Sequence, residues 1–570
     1  MYKVGCVKVD ITNYVYDKGM MGYSVHFHVV KGVATPLHVR AFVIKDEASG
    51  KKVVMVNSEI CFYTIAMKNA VVKRLQTEHA ALGFNNSNVM LTAQHTHSAP
   101  GGYSHYMLYN LAIPGFQPKV FNSVVEGTVD AIVQADAKAI PAKMYFDTGK
   151  FQPKAKVAFN RSLLAYNANP EAKKKVLKKY HHLAIDRTMK LLRFESVDGQ
   201  PIGSINWFGV HPTSVGNKHN KICADNKGYA AEYLENDVQK KYDNPEFIGA
   251  FAQDTAGDVS PNHQYETPIP EHKEYKSAQQ NGRIQFQKAK KIFDNAPQNT
   301  PLKGKLDYIS TFIDFANVVV DPIFVKGVKG LRTAPSAIGI HMLLGANDRP
   351  ALPALPNFML NKAGSFTSNL LKLYEKGLSP FANRKKKHDI KTKHAMHGNK
   401  NIIIEPDKGK ILGTFFIQNM VLPSVDPIVA RLKQIDRDGY SQRTPWMPRV
   451  IPLQLFTIGE LAIVGISAEI TTVAGERLRN TVLKVLKHKG IKEVILATYA
   501  NGYHGYITTH QEYGVQLYEG AHTIFGKWTL PAYQTKVRDL AIEMLKDKHP
   551  EQVNPEVVPD IFNDDEIWYG

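Results

Sequence analysis

The chain has 570 residues, enough to bury a large core, and its 44% hydrophobic and 22% charged residues are ordinary values for a globular protein. These values exclude a fibrous, collagenous or wholly disordered chain. The formal net charge of +19 is unusual and indicates either contact with polyanions, such as nucleic acid or anionic lipid headgroups, or a lysine-rich solvated surface. The three cysteines (Cys6, Cys61 and Cys223) form no CxxC pair, which excludes a thiolate zinc site.

The N-terminal segment MYKVGCVKVDIT alternates like a strand and lacks the apolar centre of a signal peptide. No apolar run approaches the ~20 residues that a membrane-spanning helix needs. We therefore expect a soluble chain, which is secreted or periplasmic if a signal has been removed. The sequence does not otherwise decide the compartment.

The first half of the sequence predicts strands alternating with helices. Two β-rich runs at 38–46 and 52–57 are typical of a hairpin, and a helix at 64–82 and a strand at 89–93 follow. The same alternation recurs at 202–210, 227–241, 247–252, 451–467, 470–487 and 493–499. It predicts an α/β protein with layered, mixed β-sheets flanked by helices, whose functional residues lie just beyond strand ends.

Residues 346–410 break this alternation and predict an insertion or a long irregular excursion. The apolar ALPALPNFML and the basic NRKKKHDIKTKH within it form either a loop that docks on anionic membranes or a solvated surface excursion. The tail after residue 549 is acidic and rich in proline, and we expect it to be extended.

Two histidines, His95 and His97, directly follow the apolar strand VMLTA. We expect the two rings to point to opposite sides of the segment, so that one histidine can bind a metal while the other faces a substrate. An HxH pattern alone is weak support for a metal site.

Further candidate ligands lie at equivalent positions. His211 stands in VHPTS at the end of an apolar strand, and Glu469 ends the strand LAIVGIS. Taken singly, such a histidine is more often a satisfied core residue, and such a glutamate an acid favoured at a helix start. Tyrosines between Tyr499 and Tyr518 are commonly packing residues. Together, nitrogen and oxygen donors at strand ends suit zinc, whose activation of water and polarisation of a carbonyl fit amide hydrolysis.

The segment Gly257–Asn262 (GDVSPN) offers polar side chains that suit a hydroxylated ligand, although the same residues fit a structural turn. It is not a GxSxG elbow, so a serine-hydrolase triad has no support in the sequence.

At this point the sequence resembles a known family, the neutral (non-lysosomal) ceramidases. The resemblance runs in family order from the N-terminus to about residue 546. It is carried by MMGY (20–23), HTHSAPGGY (95–103), FNRS (159–162), VHPTS (210–214), ADNKGYA (224–230), AFAQDTAGDVSPN (250–262), AEITTVAGERLR (468–479) and NGYHGYITTHQEYGVQLYEG (501–520).

The resemblance implies zinc-dependent hydrolysis of the acyl amide of ceramide. It implies four zinc ligands, which are His95, His211, Glu469 and Tyr506. It also implies catalytic residues around the amide, with Arg161 and Tyr518 donating to a developing oxyanion and His97 shuttling a proton or contacting the carbonyl. Asp258 and Ser260 would then recognise the headgroup hydroxyls or shape that pocket, and Ser260 is counted with the catalytic group. A structural Ca²⁺ or Mg²⁺ ion is implied elsewhere, at residues that these motifs do not identify.

The sequence departs from the family pattern in several places. Asp254 stands where the family often has a small or amide residue, and Pro212 replaces a small residue after His211. We expect a catalytic domain at 1–546, a variable, insertion-like region at 346–440 and an extended tail at 547–570. We expect this sequence to lack the immunoglobulin-like domain that usually follows in the family.

Three other functions stay open at the level of sequence. The first is a zinc amidase acting on another N-acyl lipid or N-acyl amino compound. The second is a catalytically silent lipid-binding homologue, against which the retention of every proposed ligand argues. A nucleic-acid binder is the weakest, because the basic run is not interleaved with aromatic residues and no binding motif is apparent.

Overall fold

The computed structural model describes residues 1–261, 269–343, 345–346, 349–350, 395–411 and 427–569. The predicted docking segments, ALPALPNFML at 351–360 and NRKKKHDIKTKH at 383–394, lie outside the described residues. Within the described part of the chain, no helix has the length and apolar character needed to cross a membrane.

An 8-stranded mixed sheet occupies the N-terminal half, with the strand order β8-β7-β6-β5-β1-β2-β3-β4. Its strands are β1 (Tyr2–Asp10), β2 (His38–Asp46), β3 (Lys52–Ser58), β4 (Val89–Ala93), β5 (Ile140–Lys150), β6 (Thr188–Ser196), β7 (Pro201–Trp207) and β8 (Ile248–Ala252). The β2–β3 hairpin is confirmed, with Val39 opposite Ser58. Strand β7 ends three residues before the predicted limit, where the Val210 amide donates to the Gln253 side chain (3.2 Å) instead of extending the ladder.

A 5-stranded sheet forms from the C-terminal half, with the order β12-β11-β10-β9-β13. Its strands are β9 (Leu306–Asp314), β10 (Val450–Ile458), β11 (Leu461–Ile466), β12 (Glu493–Thr498) and β13 (Gln552–Val553). Strand β13 belongs to the C-terminal tail, which also returns to the first half of the chain, where the Phe116 amide donates to the Trp568 carbonyl (2.7 Å).

Helices cover the outer faces of both sheets. They are α1 (Ile65–Glu78), α2 (Pro118–Ala137), α3 (Asp225–Tyr242), α4 (Glu274–Asn295), α5 (Pro427–Arg437), α6 (Thr472–Leu486), α7 (His510–Val515) and α8 (Thr529–Met544). Single helical turns at Leu163–Tyr166, Tyr440–Arg443 and Tyr518–Ala521 complete them.

The two sheets pack face to face. Alternate side chains of β2, such as Phe42 and Ile44, share one buried cluster with Phe456 and Ile463 of the second sheet. The intervening side chains, such as Val43, point the other way and pack with α1 and α2. Because side chains alternate along a strand, each sheet meets a sheet on one face and helices on the other. The predicted α/β class with layered mixed sheets is confirmed.

Candidate metal centre and active site

His95 follows β4 and is held in an unusual backbone conformation, with φ of 76°. Its amide donates to the Ile60 carbonyl (3.0 Å), and its ring stacks on Tyr499 with centroids 4.2 Å apart. Nδ1 donates to the Cys61 carbonyl (2.7 Å), which fixes the proton on that nitrogen. The other nitrogen, Nε2, is therefore the one that can ligate a metal ion.

His211 is oriented in the same way from the loop after β7. Its Nδ1 donates to the Val259 carbonyl (3.0 Å), and the residue is buried. Its Nε2 lies 2.9 Å from Oε2 of Glu469 but does not meet the geometry of a hydrogen bond.

Glu469 enters the site from the second sheet, directly after β11. The pair Glu469–Ile470 lies parallel to Tyr506–Ile507, which brings Tyr506 alongside. Oε1 of Glu469 accepts from the Tyr503 hydroxyl (2.5 Å) and lies 3.4 Å from Nε2 of His95. Burial raises the pKa of the Glu469 carboxyl, but the neighbouring His95 and His211 outweigh it and the pKa falls well below its usual value.

These residues have the donor set of a metal centre. Ligand atoms of His95, His211 and Glu469 all lie within 4.8 Å of one another, and all three residues are buried. In metal sites a ligating histidine typically donates its second nitrogen to a carbonyl or carboxylate, as both histidines do here. Two imidazoles and a carboxylate suit zinc, and the residues present fit such an ion.

Four further predicted site residues line a cavity at this centre. His97, Arg161, Tyr506 and Tyr518 stand in its wall with the three candidate ligands. One Arg161 nitrogen, Nη2, donates to the Tyr506 hydroxyl (3.0 Å) and to the Gly257 carbonyl (2.9 Å). Burial lowers the pKa of His97 well below its ordinary value, and the neighbouring His95 and His211 lower it further.

One interpretation of the HxH pair is wrong. His95 and His97 do not point to opposite sides, because their Nε2 atoms are 3.1 Å apart and both rings face the cavity. Side chains at i and i+2 lie on the same side of an extended segment, so strand geometry itself did not support that expectation.

The family is decided by comparison with known proteins. The model of the neutral/alkaline non-lysosomal ceramidase N-terminal domain matches residues 2–405 and 430–535. The chain belongs to this ceramidase family. The predicted family is thereby confirmed.

Individual ceramidases are similar over nearly the whole chain. A neutral ceramidase of Pseudomonas aeruginosa is 33% identical over 562 residues, covering 98% of this chain and 74% of that protein. Neutral ceramidase A of Dictyostelium discoideum is 32% identical, covering 95% of this chain and 72% of that protein.

Solved ceramidase structures share the fold. The crystal structure of the Pseudomonas aeruginosa neutral ceramidase superposes with a TM-score of 0.74 at 32% identity, covering 95% of this chain and 74% of that one. A structure described as ceramidase complexed with C2 gives a TM-score of 0.76 at 32% identity, covering 95% of this chain and 75% of that one.

Asp258 and Ser260 are buried, and neither is among the described residues that line the cavity. The Asp258 carboxylate accepts from the amide and hydroxyl of Thr472 (2.9 and 2.8 Å) and from Asn160 (2.6 Å). Ser260 pairs with Phe159 in a short bridge. The Asp258 carbonyl accepts from the Arg161 amide (2.9 Å) and so supports the position of Arg161. The contact of Asp258 and Ser260 with headgroup hydroxyls, or their shaping of that pocket, stays a prediction.

Four residues of this ceramidase site were not predicted from the sequence. Tyr499 and Tyr503 donate to the Glu469 carboxylate, at 3.3 and 2.5 Å. Glu519 binds Arg161 from behind, accepting from its Nε at 3.0 Å. His522 lines the cavity, and neither ring nitrogen has a hydrogen-bond partner among the described residues. The dense run of tyrosines in the sequence could have indicated Tyr499 and Tyr503. A single glutamate or histidine, such as Glu519 or His522, gives no comparable indication by itself.

Proposed function

We propose that this ceramidase-family chain hydrolyses the N-acyl amide bond of ceramide, releasing a fatty acid and a sphingoid base. We further propose a catalytic zinc ion held by His95, His211, Glu469 and Tyr506. The observation that carries the proposal is the convergence of two imidazole Nε2 atoms on one buried carboxylate, while both Nδ1 atoms are tied to carbonyls.

A bound zinc ion would polarise the amide carbonyl and lower the pKa of a water molecule. The residues of the chain supply the rest of the chemistry. Arg161 and Tyr518 stand together, with the guanidinium carbon 5.7 Å from the Tyr518 ring centroid. Their N–H and O–H groups would stabilise the negative charge that develops on the carbonyl oxygen.

His97 would move the proton. Its Nε2 faces the same space as Nε2 of His95, so it can accept a proton from the attacking water and pass it to the departing amine. An edge contact with the Tyr23 ring, with centroids 4.7 Å apart, orients the His97 ring.

The test is fatty-acid release from a short-chain ceramide dispersed in detergent. Wild type, His95→Ala and the exposed control His488→Ala are assayed as purified, after chelation and after zinc is added back. We expect chelation to abolish activity, and zinc to restore it in wild type and His488→Ala only.

Two outcomes would change the proposal. One bound zinc per chain without ceramide turnover would reject ceramide and favour another N-acyl substrate. Absence of both zinc and turnover would favour the silent lipid-binding homologue.

A further inference from the structure

A row of exposed apolar side chains lies on a short 3₁₀-helix at Lys178–Leu183. Side chains three residues apart eclipse one another in a 3₁₀-helix, so Tyr180 and Leu183 lie on one side of it, and Leu177 directly precedes the helix. We call these three side chains the apolar row; Leu177, Tyr180 and Leu183 are 58%, 47% and 40% exposed. His181 faces inward and stacks on Phe159, with centroids 4.5 Å apart. The helix is thus anchored with its apolar row toward solvent.

A closed loop brings a fourth apolar residue to the same region. The Asn167 side chain donates to the Val176 carbonyl and accepts from the Val176 amide, both at 2.9 Å. This reciprocal pair joins the start of the 3₁₀-helix to the helical turn Leu163–Tyr166, where Leu164 is 67% exposed. Leu164 follows Arg161 by three residues, which limits their Cα separation to about 11 Å.

Lysines surround these apolar side chains. Five exposed lysines lie in the segment, at Lys173, Lys174, Lys175, Lys178 and Lys179. The acidic residue of 163–184 is Glu171, and Arg477 already binds its carboxylate through two nitrogens at 2.8 Å. Glu171 therefore already has a partner outside the segment, and Lys173, Lys174 and Lys175 keep their charges at the surface.

We propose that these residues dock the protein on an anionic lipid bilayer. We call them the 163–183 patch, comprising Leu164, Leu177, Tyr180, Leu183 and the five lysines. An exposed apolar row beside clustered lysines matches an interfacial surface, with apolar side chains entering the headgroup region and ammonium groups meeting phosphates. A nucleic acid would use the lysines but not the leucines. The inference deepens the proposed function, on which it rests, because ceramide is a bilayer lipid and the patch adjoins Arg161.

The first experiment measures co-sedimentation of the full chain with ceramide-free vesicles. Phosphatidylcholine vesicles are compared with vesicles containing phosphatidylserine at low salt. The test variant Lys173→Gln/Lys174→Gln/Lys175→Gln is matched by Lys487→Gln/Lys489→Gln/Lys492→Gln. The control lysines are also exposed, and they lie before the start of β12. Because β11 and β12 are parallel, Glu469, which follows β11, lies at the opposite end of the sheet from these lysines.

We expect wild type to bind the anionic vesicles. Each lysine near such a surface contributes about fivefold in affinity, so the test variant should lose about 100-fold and the control less than threefold. Equal losses would show that net charge alone drives binding and would overturn the proposal, as would failure of wild type to bind.

The apolar row is tested separately with Leu177→Ser/Tyr180→Ser against the exposed control Ile561→Ser. We expect the first variant to lose at least 10-fold in vesicle binding and the second to match wild type. Unchanged binding of the first would overturn insertion. Hydrolysis in detergent should be the same for all these variants, so a failure of the proposed function would appear there and not in vesicle binding.

Discussion

Replacing Glu519 by Gln tests whether a buried ion pair positions Arg161. The Glu519 carboxylate accepts from Nε of Arg161 (3.0 Å) and from the Ser162 hydroxyl (2.5 Å). The two charged side chains are only 4% and 3% exposed. Removing one partner of a buried ion pair lowers the free energy of unfolding by about 3–5 kcal/mol. We expect the lower figure here, because glutamine keeps the shape of the glutamate side chain.

Replacing Glu519 should also lower the rate of catalysis. Without the carboxylate, the guanidinium is no longer held at Tyr506 and Gly257, from where it would reach the carbonyl oxygen. Loss of one oxyanion donor lowers kcat by about 100- to 1,000-fold, and we expect about 100-fold with KM nearly unchanged. The assay is detergent-dispersed ceramide hydrolysis together with urea unfolding.

A matched control separates position from stability. Glu195→Gln removes the partner of another buried arginine, Arg193, in a pair that is 9% and 3% exposed. We expect both variants to lose similar unfolding free energy, while only Glu519→Gln loses kcat. A Glu519→Gln enzyme with kcat within threefold of the wild-type value would refute the positioning role.

Three further predictions concern single side chains. Tyr503→Phe removes the donor to Glu469 and should weaken metal retention about 10- to 100-fold on dialysis against a chelator, whereas equal retention would contradict the role of that hydrogen bond. His522→Phe should raise KM for ceramide about 10-fold, because it removes one buried hydrogen bond to the substrate. An unchanged KM would show that His522 does not contact the substrate. Burial lowers the pKa of His28 from 6.5 to about 4, so the unfolded chain takes up a proton before the folded one. The free energy of unfolding should therefore fall by up to about 3 kcal/mol as the pH drops from 6.5 to 4, and urea midpoints of His28→Gln should show less of this loss than those of wild type.

Periodicity in the sequence predicted most strands and helices near the site because their burial is regular. The run VMLTA is buried along its whole length in β4, and LAIVGIS contains β11. Polar residues that follow such strands emerge at sheet edges, which is why His95 and Glu469 could be identified as candidates.

Contacts between residues far apart in the sequence could not be predicted in the same way. The pairing of Arg161 with Glu519 joins residues 358 positions apart, and nothing local in the sequence shows that these two side chains meet. The positive φ of His95 is likewise not predictable from the sequence, because a non-glycine residue adopts it only when its surroundings impose it. Those surroundings include the Ile60 carbonyl and the Tyr499 ring, which lie far from His95 along the chain.

The division of the site between two sheets has a consequence for biosynthesis. His95 and His211 follow strands of the sheet that is completed by residue 252, whereas Glu469 and Tyr506 lie in a short two-stranded pairing after the second sheet. Translation proceeds at about 5–20 residues per second, so roughly 15–60 s separate the synthesis of His211 from that of Tyr506. In the proposed centre, the complete set of four ligands would therefore exist only once the chain has been made as far as Tyr506.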